Sequence, residues 1–327
     1  MRFLGSFVFP LSIPLLYAGL SAWGPLLTPA AMAALLLGAE FVAPRGPASG
    51  SGAGLWMAYA LVPVQLGMIA WATHAATTAS SLGFASLVFA VGVTTGVFGV
   101  LAAHDLVHGQ SSVGRLVGAT MLTGMCYRHF RIAHLYGHHR YACTDRDPAT
   151  ARLGEGFYSF LARTLVGQWL EALRFEQRRS ANALWRNRVV QDFGITTAVV
   201  AALAFAWGPR SALFFLAQSA VAIIVLELFN YIAHYGLTRE CARMGAEHSW
   251  NSSNVIANAF LFNMGRHSDH HAHPAAPFDT LTYAPGAPEL PAGYAGAILM
   301  ALVPPLWRRV MDSRVLALRA QPMRAAA

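Results

Sequence analysis

Along most of this chain apolar residues run in blocks and do not alternate with polar ones, a pattern that predicts helices apolar on every side. A helix needs about 20 mostly apolar residues to cross a bilayer. Six blocks approach that length, at roughly 3–23, 26–43, 55–74, 82–103, 192–208 and 211–233. Their connectors WGPLLTP, APRGPASGSGAG, TTASS and GPRS are short and rich in turn residues, which pairs the spans into three hairpins. Two further apolar blocks, 114–126 and 294–306, are too short to cross and are expected to lie at the interface or insert partway. The expected fold class is all-α: a polytopic integral membrane protein with about six transmembrane helices. It divides into four transmembrane helices over 1–103, a polar segment over 104–191, a transmembrane hairpin over 192–233 and a second polar segment over 234–327.

Composition supports the membrane reading. The chain is 55% hydrophobic and 12% charged, about half the charge of an ordinary soluble domain. The opening MRFLGSFVFPLSIPLLYAGLSAWG has one charge followed by an apolar run longer than a signal-peptide core, and reads as a first span. All 23 basic residues are Arg, and the net charge is +8. Arg115 and eleven Arg from Arg128 to Arg188 fall in the 104–191 segment, and Arg308, Arg309, Arg314, Arg319 and Arg324 in the last one, whereas the connector near 75–81 has none. Loops left in the cytoplasm carry the positive excess. Both termini and both polar segments are therefore expected on the cytoplasmic side of a bacterial inner membrane, with Arg210 the exception. Such a face suits membrane lipids or an acidic protein partner; no nucleic-acid partner is expected. Cys126, Cys143 and Cys241 are isolated, which argues against a disulfide framework, a cysteine-ligated metal domain or an iron–sulfur or rubredoxin module within the chain.

The chemistry is carried by histidine. HDLVH holds His104 and His108, HLYGHH holds His134, His138 and His139, NYIAHYG ends on His234, and RHSDHHAHP holds His267, His270 and His271. The i, i+3 and i+4 spacings predict that His104 and His108, then His134 and His138, then His267, His270 and His271 each share a helix face. All four groups fall at or just beyond the same ends of spans, so they are expected to meet in one layer, a histidine-rich cap under the membrane. First-row ions take about four to six ligands. Nine imidazoles therefore point to two metal ions with four or five each, and ligand type alone leaves iron, copper, nickel and zinc open. His74, His129, His248 and His273 fall outside the repeated spacing, with His129 and His273 close enough to support the ligands from behind.

These boxes resemble the membrane-bound non-haem di-iron alkane monooxygenases, relatives in histidine pattern of the fatty-acid desaturases. GHHRYACTDRDPATARLGEGFYSFLART, NYIAHYGLTR, HSWNSSN, RHSDHHAHP, LPAGYAG and VPPLWRRVM are similar to that family in its order, over about residues 98–315. The resemblance implies two Fe ions held by His104, His108, His134, His138, His139, His234, His267, His270 and His271. It also implies O₂-dependent hydroxylation of a terminal methyl on a hydrophobic substrate drawn from the bilayer, with electrons from a rubredoxin- or ferredoxin-type donor and its reductase. Asp105 stands where the family's first box usually has Glu, and Ala133 and Ala233 stand where it commonly has Glu.

Asp105, Glu227, Asn230 and Asp269 are the candidates for orienting the ligands. Glu227, Asn230 and His234 share a face of the sixth span, and a carboxylate inside a membrane helix is expensive enough to expect a role. Asp145 and Asp147 read as capping or ion-pairing residues of an Arg-rich loop. Benzylic-methyl hydroxylation and fatty-acyl desaturation are the rival chemistries, and a non-catalytic membrane metal-binding or transport protein the rival class.

Overall fold

In the computed structural model the described residues are 3–43, 46, 54–241 and 243–320. Most of the 43–54 connector, and Arg324, lie outside them. The helices are α1 (Gly5–Leu20), α2 (Leu27–Val42), α3 (Trp56–Ala75), α4 (Ser81–His108), α5 (Ser112–Thr123) and α6, built from Phe130–Ile132, Ala133–His138 and His139–Tyr141. They continue as α7 (Phe157–Arg179), α8 (Arg188–Trp207), α9 (Pro209–His234), α10 (Val255–Phe260), α11 (His267–Ala272), α12 (Gly293–Ala301) and α13 (Pro304–Arg319). Among the described residues the only extended pairing is one isolated bridge between Asn251 and Glu289.

Five apolar units are long enough to cross a membrane: Gly5–Val42, Trp56–Ala75, Ser81–His108, Arg188–Trp207 and Pro209–His234. The protein is an integral membrane protein. The first two expected spans are where the count differs. Helices α1 and α2 have 16 residues each and are joined by the 3₁₀ turn Ser21–Leu26. At 1.5 Å per residue each is about 24 Å long, short of a hydrocarbon core of about 30 Å. They form one apolar unit of 38 residues. Helix α4 continues to His108 and α9 to His234, so three of the nine histidines stand in the last turns of spanning helices and not in polar segments. The short apolar blocks become α5 and α12, of 12 and 9 residues.

Helices α4 and α9 make the contact on which the site rests. A Cβ at Gly92 would press on Val221 and come 2.8 Å from the Gln218 carbonyl oxygen; one at Gly96 would come 2.6 Å from Val225 Cβ. Lipid tails are as apolar as the helices themselves, so close backbone approach through small residues supplies association that the hydrophobic effect does not. Below Gly92 the helix widens into a π turn over Thr95–Gly99, where Gln65 Nε2 of α3 donates to Thr95 Oγ1 at 2.7 Å. Single π turns inside helices recur at functional sites. Helix α8 is peripheral, with only Val189 and Asp192 buried. Helices α7 and α13 are amphipathic: α13 buries Trp307, Met311 and Val315 and exposes Arg308, Arg309 and Arg314. Tyr235 Oη donates to Asp312 at 2.6 Å, and Trp307 packs on Tyr231 and Tyr235, so this basic helix is fastened to the chain around His234.

Adding side-chain volume to a packed contact costs about 1–3 kcal/mol. Gly92→Ala is expected to lower the thermal unfolding midpoint in detergent, whereas Gly67→Ala, where a Cβ meets nothing within 4 Å, leaves it unchanged. Equal midpoints for the two variants contradict the assigned packing.

Candidate metal centre

The nine histidines converge into two groups. His104, His108, His134, His139 and His270 form one, and His138, His234, His267 and His271 the other; within each, the nitrogens on offer lie within 4.8 Å of one another. His104 and His108 come one turn apart from the end of α4. The six residues 133–138 form a second π turn, whose i→i+5 hydrogen bonds bring residues five apart alongside each other. His134 consequently joins His139, with their Nε2 atoms 3.0 Å apart, while His138 turns to the other group. His134 and His138 share a face as expected, their rings stacked with centroids 5.3 Å apart, yet they join different groups. Helix α11 divides too: His267 and His271, at i, i+4, enter the second group and His270 the first. The groups abut, with ring centroids of His139 and His271 4.5 Å apart.

What faces inward is fixed by what is held behind. His138 Nδ1 meets Asp147 Oδ2 at 2.8 Å, and the same carboxylate accepts from Thr150 Oγ1 and the Ala149 N–H. Burial pushes the Asp147 carboxyl upward, but adjacent His138 and these hydrogen bonds outweigh it and hold the group below its ordinary range. Asp147 is thus no mere loop ion pair, as its sequence setting suggested. His234 Nδ1 donates to the His248 carbonyl oxygen at 2.8 Å. Both rings thereby offer an Nε2 lone pair to the interior. The HSWNSSN stretch builds the seat for α11: Asn251 Nδ2 donates to Ser268 Oγ at 2.7 Å, and its Oδ1 accepts the Ser268 N–H at 3.0 Å.

The residues fit a pair of metal ions. His134 Nε2 lies 3.0 Å from the Nε2 atoms of both His108 and His139, and His271 Nε2 lies 3.1 Å from those of both His234 and His267. With metal–nitrogen bonds of about 2.1 Å, two nitrogens at right angles on one ion stand about 3.0 Å apart. Burial first, and then the neighbouring imidazoles, hold His134, His139, His267, His270 and His271 well below the ordinary histidine range, so these rings are neutral and available as ligands. Neutral ring nitrogens at this spacing can share either a proton or a cation, and four or five of them together match the ligand set of a metal ion.

Other expectations resolve differently. His74 packs on Trp207, and His129 packs on Tyr127. His273 pairs with Asp269 on the surface. Asp269 also accepts from Thr282, Asp105 accepts the Phe278 N–H, and Glu227 gathers Tyr127, Thr164, Gln168 and Asn230. None of these hydrogen bonds reaches one of the nine histidines; they brace the segments that carry them. Ala133 packs in an apolar cluster with Ile132, Ala172 and Val189. Glu171 closes against Gly137 inside the π turn, and burial followed by the nearby Asp147 raises its carboxyl to about 7. No spacing in the sequence links Glu171 or Asp147 to the histidines, because both arrive through tertiary contacts.

An apolar cavity ends on the centre. Val97, Val100 and Leu101 of α4 and Leu226, Phe229 and Ala233 of α9 line it, and its floor is His104 and His134 from the first group and His267 from the second. Ala233, where a Glu is common in the resembling family, leaves this wall without a charge.

Adjacent residues should act on different ions. His138→Ala and His139→Ala are each expected to keep about one metal per chain and to lose the other, in metal analysis of the purified proteins. Asp147→Asn should weaken metal retention by about 10–100-fold, the scale of lost support behind a ligand. Full retention in Asp147→Asn contradicts its role behind His138.

Residues 79–296 match the fatty acid desaturase family. The chain is 37% identical to alkane 1-monooxygenase 2 of Pseudomonas aeruginosa over 79% of its own length and 72% of that protein. It is 35% identical to alkane 1-monooxygenase 1 of the same organism, over 81% and 73%. A more distant similarity, 27% over 69% of the chain and 63% of the relative, is to the hydroxylase component of xylene/toluene monooxygenase from Pseudomonas putida. The chain belongs to the fatty acid desaturase family, in the branch formed by the membrane-bound alkane monooxygenases.

Proposed function

We propose that the protein is an alkane 1-monooxygenase that converts a terminal methyl group to a primary alcohol. The observation that supports this most is the apolar cavity whose floor is made of histidines from both groups. A hydrocarbon offers no hydrogen-bonding handle, so it is held by burial, worth about 0.8 kcal/mol per CH₂. The reaction takes one O₂, two electrons and two protons, places one oxygen atom in the C–H bond and releases the other as water. Iron bound at both groups supplies the activation of O₂; His104, His108, His134, His139 and His270 would hold one ion and His138, His234, His267 and His271 the other. The chain's own contribution is to orient these rings, through Asp147 and the His248 carbonyl, and to keep the cavity dry. Hydrophobic substrate enters from the bilayer. Similarity to alkane enzymes at 35–37% identity, against 27% for the xylene/toluene enzyme, favours an alkane over a benzylic methyl.

Electrons come from a separate donor, of rubredoxin or ferredoxin type with its reductase, which docks on the basic face. Helix α13 supports this: it exposes Arg308 and Arg309 and packs through Trp307 on Tyr231 and Tyr235, beside His234. Arg178 is also exposed, whereas Arg179 is engaged by the buried Glu176 and serves the fold. The positive excess places this face, both termini and the histidine layer in the cytoplasm, with α1 and α2 making two of six passages through a locally thinned bilayer. The working divisions of the chain are the four stretches 1–103, 104–191, 192–233 and 234–327.

Protein expressed in iron-replete medium is expected to carry about two irons per chain and to form 1-alkanol from n-alkane, read by gas chromatography. One metal per chain, stoichiometric zinc, or an alkene product contradicts the proposal. Replacing any one of the nine histidines by Ala should abolish turnover, whereas His74→Ala keeps it. Val97→Trp, filling the cavity beside the π turn, should shift the preferred alkane to shorter chains, since each excluded CH₂ forfeits about fourfold in binding; an unchanged chain-length profile contradicts substrate binding there. Turnover at limiting donor should fall as salt rises, because the Debye length shrinks from about 10 Å at 0.1 M to about 3 Å at 1 M. Arg308→Glu or Arg309→Glu should raise the KM for donor without changing iron content. A salt-independent rate contradicts docking on this face.

A further inference from the structure

A second cavity, sharing no residue with the one above the histidines, lies between α7, α8, α9 and the loop that enters α6. Its volume is about 380 Å³. Arg128, His129 and Asp192 form a polar part of its lining; Phe193, which follows Asp192 on α8, Val200 about two turns further along, and Leu216 of α9 give it an apolar part. The separation follows α8, in which Asp192 and Val200 are about 12 Å apart along the axis at 1.5 Å per residue. Helix α8 is the peripheral span, and Phe193 is 70% exposed, so the cavity opens sideways toward lipid.

The polar end is unbalanced in charge. Arg128 Nε meets Asp192 Oδ1 at 2.8 Å, and Arg131 Nη2 meets both carboxylate oxygens at 2.9 and 2.8 Å. The side chains of Arg128, Arg131 and Asp192 are 11%, 19% and 5% exposed. Two guanidiniums therefore share one carboxylate in a largely buried place, leaving one positive charge without a partner. An uncompensated charge held away from water is expensive unless an anion joins it. Hydrogen-bonding capacity remains as well: His129 Nε2 and Arg131 Nε are buried without partners.

We propose that this cavity binds an anionic phospholipid, its phosphate at Arg128 and His129 and one acyl chain along α8 against Phe193, Val200 and Leu216. The sideways opening leaves the second chain in the bilayer. The sign of the cluster selects against neutral lipid, and the length of the apolar wall selects against a free phosphate. Because Arg128 also donates to the Ala119 carbonyl and to Thr123 Oγ1 on α5, the lipid joins α5, the α6 entry and α8 at one point.

The test is native mass spectrometry of the full-length protein in detergent, titrated with phosphatidylglycerol, phosphatidylcholine or oleate. Phosphatidylglycerol should bind at least about tenfold more tightly than phosphatidylcholine, the scale of one charge-assisted hydrogen bond. Arg128→Gln should remove that preference. Val200→Trp, which leaves the ion cluster intact and fills the apolar end, should weaken phosphatidylglycerol about tenfold, and decides the matter if Arg128→Gln does not fold. Equal affinity for the two phospholipids, or undiminished phosphatidylglycerol binding in Val200→Trp, overturns the proposal. Tighter binding of oleate than of phosphatidylglycerol overturns it too, by assigning the cavity to a single-chain carboxylate.

Discussion

Nine imidazoles turned toward one another in a buried layer are the constraint that the rest of the molecule serves. With ring nitrogens facing one another at 3.0–3.2 Å, the arrangement depends on support from outside the cluster, and the same nitrogens are placed to share a cation. The holding is distributed over distant parts of the chain. Asp147 fixes His138, the His248 carbonyl fixes His234, and Asn251 grips Ser268 at the head of the short helix carrying His267, His270 and His271. Burial supplies the other half, holding His134, His139, His267, His270 and His271 well below the ordinary histidine range and so able to bind metal.

Two π turns lie close to the histidines. The centre has two neighbouring targets, and the α-helix α11 already reaches both, with His270 in one group and His267 and His271 in the other. Widening the helix at 133–138 lets consecutive His138 and His139 serve different groups. The turn at Thr95–Gly99 precedes the paired His104 and His108, and its Gly96 and Val97 line the apolar cavity. Close packing of α4 on α9 through glycine then brings His104 and His134 on one side of the cavity against His267 on the other. The lining of that cavity is apolar except beside the histidines, Asn230 and Tyr294.

Much of this was legible in the sequence, and the parts that were not share a cause. Apolar blocks gave the long helices, because a bilayer imposes length and composition together. Histidine spacing gave the nine residues and the division into four or five ligands for each of two ions. Spacing by i, i+4 put His134 and His138 on one face but did not tell which group each joins, since a change of helical pitch leaves no mark in residue spacing. Asp147 and the HSWNSSN scaffold were not recognised as supports because no helical spacing links them to their partners, Asp147 lying nine residues from His138 and Asn251 17 from Ser268. The first two spans were overcounted in length: the 3₁₀ turn at Ser21–Leu26 takes residues from both, leaving helices Gly5–Leu20 and Leu27–Val42. The Arg128, Arg131 and Asp192 cluster was counted only as part of a positive-inside bias, although folding buries it.

The coordination of the bound metal is the most direct test of the central claim. Iron K-edge X-ray absorption on the purified, iron-loaded protein should show a light-atom shell with the outer-shell pattern of several imidazoles on every iron, and no sulfur at about 2.3 Å. Such a spectrum, persisting unchanged in Cys143→Ala, whose thiol is 3.5 Å from His234 Nδ1, agrees with two all-histidine groups. A sulfur shell, or an oxygen-dominated shell without imidazole scattering, contradicts it.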